Sequence, residues 1–250
     1  MENETRSASG TKRPTEPGPD PEVQPRQTST GIKRITLRIS SIPIRVTKGR
    51  LLMILEGLTP FRNPTDEAKR HRGTNIDSLS LAPSSSVCDS DAYQVATVTF
   101  KEIPTALAGC VSSASTIIAS LGVDGGGEEI EVDVDSHFRG LTPLNHLANP
   151  SVDVIAVTGL AGHAFGSWRS RNTGKMWLRD MIPIDLPNAR ILTYGYDTTL
   201  PGSKSNAQIS EYANQFLESL KDARHDPHRP IIFIGHSLGG LLIKEVRSCA

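Results

Sequence analysis

Residues 235–239 read Gly-His-Ser-Leu-Gly, a Gly-x-Ser-x-Gly spacing set between an apolar tetrapeptide, Ile-Ile-Phe-Ile, and an amphipathic run, "LGGLLIKEV". A serine hydroxyl becomes a nucleophile when a sharp strand-to-helix turn lifts it clear of a sheet edge and a base stands beside it. Gly235 and Gly239 lack side chains, so strand and helix can close around that turn. The backbone N–H of Leu238, first in the new helix, is placed to meet a developing oxyanion. A second N–H must come from the loop after an earlier strand. In "VTGLAGHAFGSW" a buried strand ends at Thr158 and a glycine-containing loop follows, so Leu160 is the expected second donor. The expectation is Ser237 as nucleophile, with the Leu160 and Leu238 amides as oxyanion hole.

A serine nucleophile of this type is followed in the chain by Asp or Glu and then His. After Ser237 only Glu245 is a carboxylate, and there is no histidine. Glu245 is expected to point along the helix leaving the turn. His236, inside the motif, is expected to pack beside the serine. His163, in the 159–166 loop, is weighed as a surrogate base. His225 and His228 are assigned to a solvent loop and Asp197 to a turn. The three cysteines, Cys88, Cys110 and Cys249, match neither metal nor disulfide spacing. No metal or organic cofactor is implied.

The elements that must position these residues alternate along 151–250. "VDVIAVTGL" and "ARILTYGYD" read as buried strands. "KMWLRDMI" is a short helix stopped by Pro183, and Ser205 with Gln208 form a capping box opening a helix through Leu220. "IIFIG" is a third strand and "LGGLLIKEVRSC" a third helix. Strands apolar on both faces, alternating with helices, imply a parallel sheet covered on both sides. Its third strand is expected at an open edge.

"VIAVTGLAGHAFGSWRSR", "ILTYGYDT" and "IIFIGHSLGGLLIKE" together resemble the lipase-like α/β-hydrolase domain of the serine-active-site-containing protein family. That domain also stands at the N-terminus of fungal NACHT and NB-ARC receptor-like proteins. The resemblance implies an α/β-hydrolase sheet, ester hydrolysis or acyl transfer, lipid esters as substrates, Ser237 as nucleophile and Leu160 and Leu238 as oxyanion positions. Unpaired cysteine spacing, and no run that reads as a signal peptide or a membrane span, lead to the expectation of an intracellular site, cytoplasmic or peripheral to mitochondrial or endoplasmic reticulum membranes. One departure is Thr158, where many lipases carry His. With three strands and three helices expected, 151–250 read as the front half of such a domain, with the remainder and its Asp and His lost by truncation. The expectation is therefore a lipase-type serine hydrolase that is inactive as this 250-residue chain. The alternative is a non-catalytic or effector domain of a receptor-like signalling protein.

Ahead of that half lies a different grammar. Residues 1–30 hold five prolines and no aromatic residue, and are expected to be disordered. Residues 31–139 read as a small α+β module of βαββαβ type, with strands at "ITLRISSIPI", "DSLSLAP", "QVATVTF" and "EEIEVDVDS" and helices at "TKGRLLMILEGL", capped by Thr47, and at 102–121. Residues 140–150, with Pro143 and Pro150, read as a linker. The module weakly resembles an RNA-recognition-motif fold. Where that fold stacks bases on aromatics, this sequence has Arg38, Val95 and Thr97. Lys+Arg and Asp+Glu balance at 27 each, which argues against a dedicated nucleic-acid binder, so no nucleic acid is expected as partner. Trp168 and Trp177, with Arg169, Arg171, Lys175 and Arg179, admit two readings. One is a lid or surface against anionic lipid. The other, favoured on sequence, is one Trp packed under the sheet within a solvated basic loop.

Overall fold

The computed structural model describes residues 34–58, 74–86, 88–112, 115–123, 127–197, 206–224 and 226–249. The tail 1–30, Ser205, the Gln208 side chain and His225 lie outside the described residues. The content is mixed α/β, in one antiparallel sheet and one mixed sheet.

The first sheet is built from β1 (Ile35–Pro43), β2 (Ile76–Pro83), β3 (Tyr93–Phe100), β4 (Ile117–Val123) and β5 (Glu129–Asp135), in the order β2-β3-β1-β5-β4 with antiparallel neighbours throughout. Alternation in β1 turns Leu37 and Ile39 inward. A bulge at Ser41 (φ 60°) then lets Ile42 rejoin them, three residues on. Helix α1 (Lys48–Gly57) starts where Thr47 Oγ1 accepts from the Arg50 N–H at 3.2 Å, and it buries Leu51 and Leu55 against that face.

Residues 102–121 do not form the expected helix. Pro104 opens a 3-10 turn, Thr105–Leu107, and a single helical turn α2 (Gly109–Ser112) follows. From Ile117 the chain is strand β4, hairpinned to β5, with Leu121 turned inward and Ile118 turned out. The β-branched pair Ile117-Ile118 suits a pleated surface, and pairing to β5 overrides a weak helical pattern.

The second sheet has the order β6-β8-β7-β9, from β6 (Gly140–Pro143), β7 (Val152–Val157), β8 (Ala189–Gly195) and β9 (Ile231–Gly235). The parallel strands are β8, β7 and β9. Strand β6 runs antiparallel to β8. The linker expected at 140–150 is thus corrected: its first four residues are an edge strand. Gly140, at φ 77°, turns the chain into it, and Pro143 is tolerated because an edge strand has one side without ladder bonds. Pro183 likewise does not stop a helix. It lies at the start of helix α4 (Ile182–Asp185), just past the short helix α3 (Trp177–Asp180).

Helices α3 and α4 connect β7 to β8, while α5 (Asn206–Asp222) and α6 (Leu238–Cys249) pack together. Two apolar clusters separate across the sheet. Val154, Ala156 and Ile191 face Trp168, Met176 and Leu178, whereas Ile155, Val157 and Leu192 face Phe216, Leu242 and Val246. The chain leaves β7 for β8 on one side and returns to β9 on the other. The carboxyl ends of β7 and β9 therefore flank a topological switch point, where connecting loops depart to opposite faces and open a crevice. On its far side β9 has no neighbouring strand among the described residues, and Ile232 is 47% exposed there.

Candidate functional site

Ser237 stands at that switch point. Its φ is 52°, in the left-handed region that a non-glycine residue occupies at a cost of about 1–3 kcal/mol. The packing around it holds the chain in this conformation. A Cβ on Gly235 would lie 2.7 Å from Gly240 Cα, and one on Gly239 would lie 2.3 Å from the Val157 carbonyl oxygen. Only glycines let α6 sit this close to β9 and to the end of β7. The His236 N–H donates to Val157 O at 3.0 Å, and the Gly239 N–H to His236 O at 2.9 Å. Ser237 itself is exposed.

The loop after β7 comes directly against this turn. A Cβ on Gly159 would meet His236 O at 2.8 Å and Ser237 Cβ at 2.9 Å. Leu160 is the next residue, and Ala161 turns the chain with φ 52°. The Gly162 N–H closes the turn onto Gly159 O at 3.0 Å. Neither the Leu160 nor the Leu238 N–H donates to an acceptor among the described residues. The structure thus brings the Gly159–Leu160 turn and the Ser237–Leu238 junction together at one crevice.

Several bonds brace the loop from below. Thr158 Oγ1 and Ser167 Oγ are 2.9 Å apart, and Ser167 Oγ accepts from the His163 N–H at 3.0 Å. The Tyr196 hydroxyl donates to Thr158 O at 3.1 Å, and burial pushes its pKa up to about 12. Thr193 Oγ1 donates to Ala164 O at 2.6 Å. Thr158, the departure noted in the sequence, is a bracing hydroxyl.

Both ring nitrogens of His163, weighed above as a surrogate base, are committed. Nδ1 accepts from the Phe165 and Gly166 N–H groups at 3.1 and 2.9 Å, which leaves Nε2 as the donor to Ser136 O at 2.6 Å. Desolvation holds its pKa below the usual histidine value, outweighing the Ser136 carbonyl, which favours the cation. Through Ser136, the loop after β7 is tethered to the turn that follows β5. No local pattern announces this tether, since 27 residues separate its ends.

The remaining titratable side chains make other contacts. The His236 ring packs edge-on against Trp168, with centroids 6.3 Å apart. Asp197 pairs with Arg139 at 2.7 Å on the surface. Glu245 accepts from Ser210 Oγ at 3.4 Å, and His228 is exposed. Among the described residues no group hydrogen-bonds to Ser237 Oγ, and no cluster of metal ligands occurs.

Trp168 is buried and meets the half-buried Trp177 edge-on at 6.1 Å. An open cleft of about 480 Å³ is lined by both, with Arg169, Lys175 and Met181 also on its walls. The basic segment is not wholly solvated, as the favoured sequence reading had it. Arg169 donates to Arg34 O at 3.1 Å. Arg179 donates to Ser78 Oγ at 3.0 Å, pairs with Asp180 at 2.6 Å and lies over the Phe165 ring.

Arg38 shows the same from the other side. It pairs with Asp135 at 2.7 Å and donates to Arg139 O and Thr142 Oγ1 at 2.6 and 3.1 Å, where base-stacking aromatics would stand in an RNA-recognition motif. Thr97 and Thr99 beside it are buried. Thr142 of β6, with Arg169 and Arg179 from between β7 and β8, bonds to that face of the first sheet.

No family model and no solved structure matches the chain. Among curated proteins it is similar to Protein SERAC1 of Danio rerio, 32% identical over 116 residues, which is 38% of this chain and 18% of that protein. Protein SERAC1 of Mus musculus is 30% identical over 114 residues, 38% of this chain and 17% of the relative. The Homo sapiens protein is 28% identical over 127 residues, 42% and 19% of the two chains. The chain thus spans less than a fifth of the length of these relatives at the matched region. Among the described residues no helix is long and apolar enough to cross a membrane.

Proposed function

We propose that the second sheet carries the nucleophile and oxyanion hole of a lipase- or esterase-type serine hydrolase acting on carboxylic, lipid esters. One observation carries the reading: Ser237 is held at φ 52° on a strand–helix junction, with the Gly159 loop in contact. Strain of this kind at an exposed serine has a use in aiming Oγ at a substrate carbonyl. Similarity to SERAC1 supports the same reading, since the family resemblance already implied a lipase-like domain.

In this reading Ser237 Oγ attacks the ester carbonyl carbon as its proton passes to a base. The oxyanion is held by the Leu160 and Leu238 N–H groups, and the alcohol departs with the proton. Water then releases the acid from the acyl-serine and restores the hydroxyl. Each oxyanion donor is worth on the order of 10²–10³ in rate. No His or carboxylate among the described residues hydrogen-bonds to the Ser237 hydroxyl, and this reading takes the base from outside them.

That same lack is the observation favouring a second reading, a non-catalytic or effector domain of a receptor-like signalling protein. Hydrolysis of a short-chain nitrophenyl ester by the longest native product carrying this segment decides between them. Turnover abolished by Ser237→Ala supports the hydrolase. Absence of turnover supports the second reading. Ser237-dependent turnover by the 250-residue chain alone would overturn the expectation that this chain is inactive by itself.

A further inference from the structure

The segment between β7 and β8 exposes more apolar surface than its packing requires. Met181 is 51% exposed, Ile184 77% and Leu186 43%, all on or beside the single turn of α4. Met181 and Ile184 are neighbours at i, i+3, joined by the Ile184 N–H to Met181 O bond at 2.9 Å. Next to them stands a small hairpin, closed by the Arg169–Met176 bridge and the Ser170 N–H to Lys175 O bond. Its tip exposes Arg171, and Lys175 lies on the cleft wall with Trp177 and Met181.

Charge around this apolar edge is lopsided. Arg34, Arg169 and Arg179 gather behind the hairpin, with Asp77 and Asp180 as their counter-ions. Arg171 and Lys175 have no ion-pair partner among the described residues. Asp185, on α4, is the one exposed carboxylate of the 169–186 segment, so cations prevail. Exposed aliphatic side chains beside unpaired cations match the depth profile of an anionic bilayer surface, with apolar groups at the acyl boundary and cations at the phosphates. Trp168, on the cleft wall, also packs edge-on against His236 of the Ser237 turn.

We propose that α4 and the 169–176 hairpin form a docking edge for an anionic phospholipid surface. Met181, Ile184 and Leu186 enter the interfacial layer, Arg171 and Lys175 meet headgroup phosphates, and the mouth of the Trp168–Trp177 cleft is set at the bilayer. The part given to the cleft rests on the ester-hydrolase reading; the docking does not pass through Ser237.

The test is flotation of the 250-residue chain with vesicles of phosphatidylcholine alone or mixed with phosphatidylserine. The chain is expected to float with the mixed vesicles and to be released by salt. The double variant Arg171→Ala, Lys175→Ala should bind on the order of thirtyfold more weakly, the factor two basic residues are worth near such a surface. Ile184→Glu, at an exposed position, should also lower binding. No flotation of the unaltered chain, or flotation equal in all three proteins, overturns the proposal. Ser237 reactivity without vesicle binding sinks the docking alone, whereas vesicle binding without Ser237 reactivity in the longest native product carrying this segment sinks the hydrolase alone.

Discussion

The two sheets use their polar groups in opposite ways. On the first, the face turned away from its apolar core is a bonded mosaic. Thr36 and Thr99 hydroxyls lie 2.9 Å apart, Ser80 and Thr97 2.5 Å, and Arg38 grips Asp135 at 2.7 Å. These groups are buried or partly buried and are partnered, and each neutral bond contributes about 1 kcal/mol net. At the carboxyl edge of the second sheet, Ser237 is exposed, strained and without a hydrogen-bond partner for Oγ among the described residues, and the amides flanking the crevice are unspent. Satisfied polarity is scaffolding, and strained, unspent polarity at a switch point is where chemistry belongs. The two are mechanically joined. His163 hangs from Ser136 O, and Asp135, one residue earlier, accepts the His137 and Phe138 N–H groups at 2.9 and 2.6 Å.

The largest effect should come from breaking the scaffold. Asp135→Ala strands the nearly buried Arg38 guanidinium and two backbone donors, and should cost about 3–5 kcal/mol in urea unfolding. A loss below about 1 kcal/mol would mean that the mosaic contributes little. Next in size is Gly239→Ala, whose Cβ would press on Val157 O and Thr158 O at 2.3 and 2.6 Å, both backbone atoms. It should destabilise by about 1–3 kcal/mol as α6 is forced off β7.

Ser237→Gly sharpens the contrast, because it should run the other way. Relief of the left-handed strain should raise stability by up to about 1 kcal/mol by the same measurement, while removing the hydroxyl. A destabilisation would mean that the turn is not strained.

The smallest effect is a titration. The folded-state pKa of His163 is depressed by desolvation, so the unfolded chain takes up this proton first as pH falls. The contribution of this site is complete above the unfolded value, near 6.5, and is lost as pH drops from there through the lowered folded value. His163→Gln should flatten stability across that window. An unchanged pH profile would show that the ring is not held as described.

The turn at Ser237 was legible because its signals are local: four apolar residues, two glycines with defined contacts, and an amphipathic helix. So were α1, with its Thr47 cap, and the succession of β7, β8 and β9. What could not be read depends on partners distant in sequence. Strand β4 looked helical until β5 supplied its ladder, and β6 hid behind a glycine and a proline that an edge strand tolerates. Arg38 read as a missing aromatic, yet its partners lie 97 and more residues away, in Asp135, Arg139 and Thr142. The exposure of Ile184 had no sequence signature, since an aliphatic residue between Pro183 and Pro187 reads equally well as core.

The central claim is that strain at Ser237 serves a nucleophile. Its most direct test is labelling of the longest native product with a fluorophosphonate, read by peptide mass spectrometry. Covalent label on Ser237, absent from Ser237→Ala and slowed by Gly159→Ala, is the result the account predicts. A product that leaves Ser237 unmodified while other serines react would contradict it.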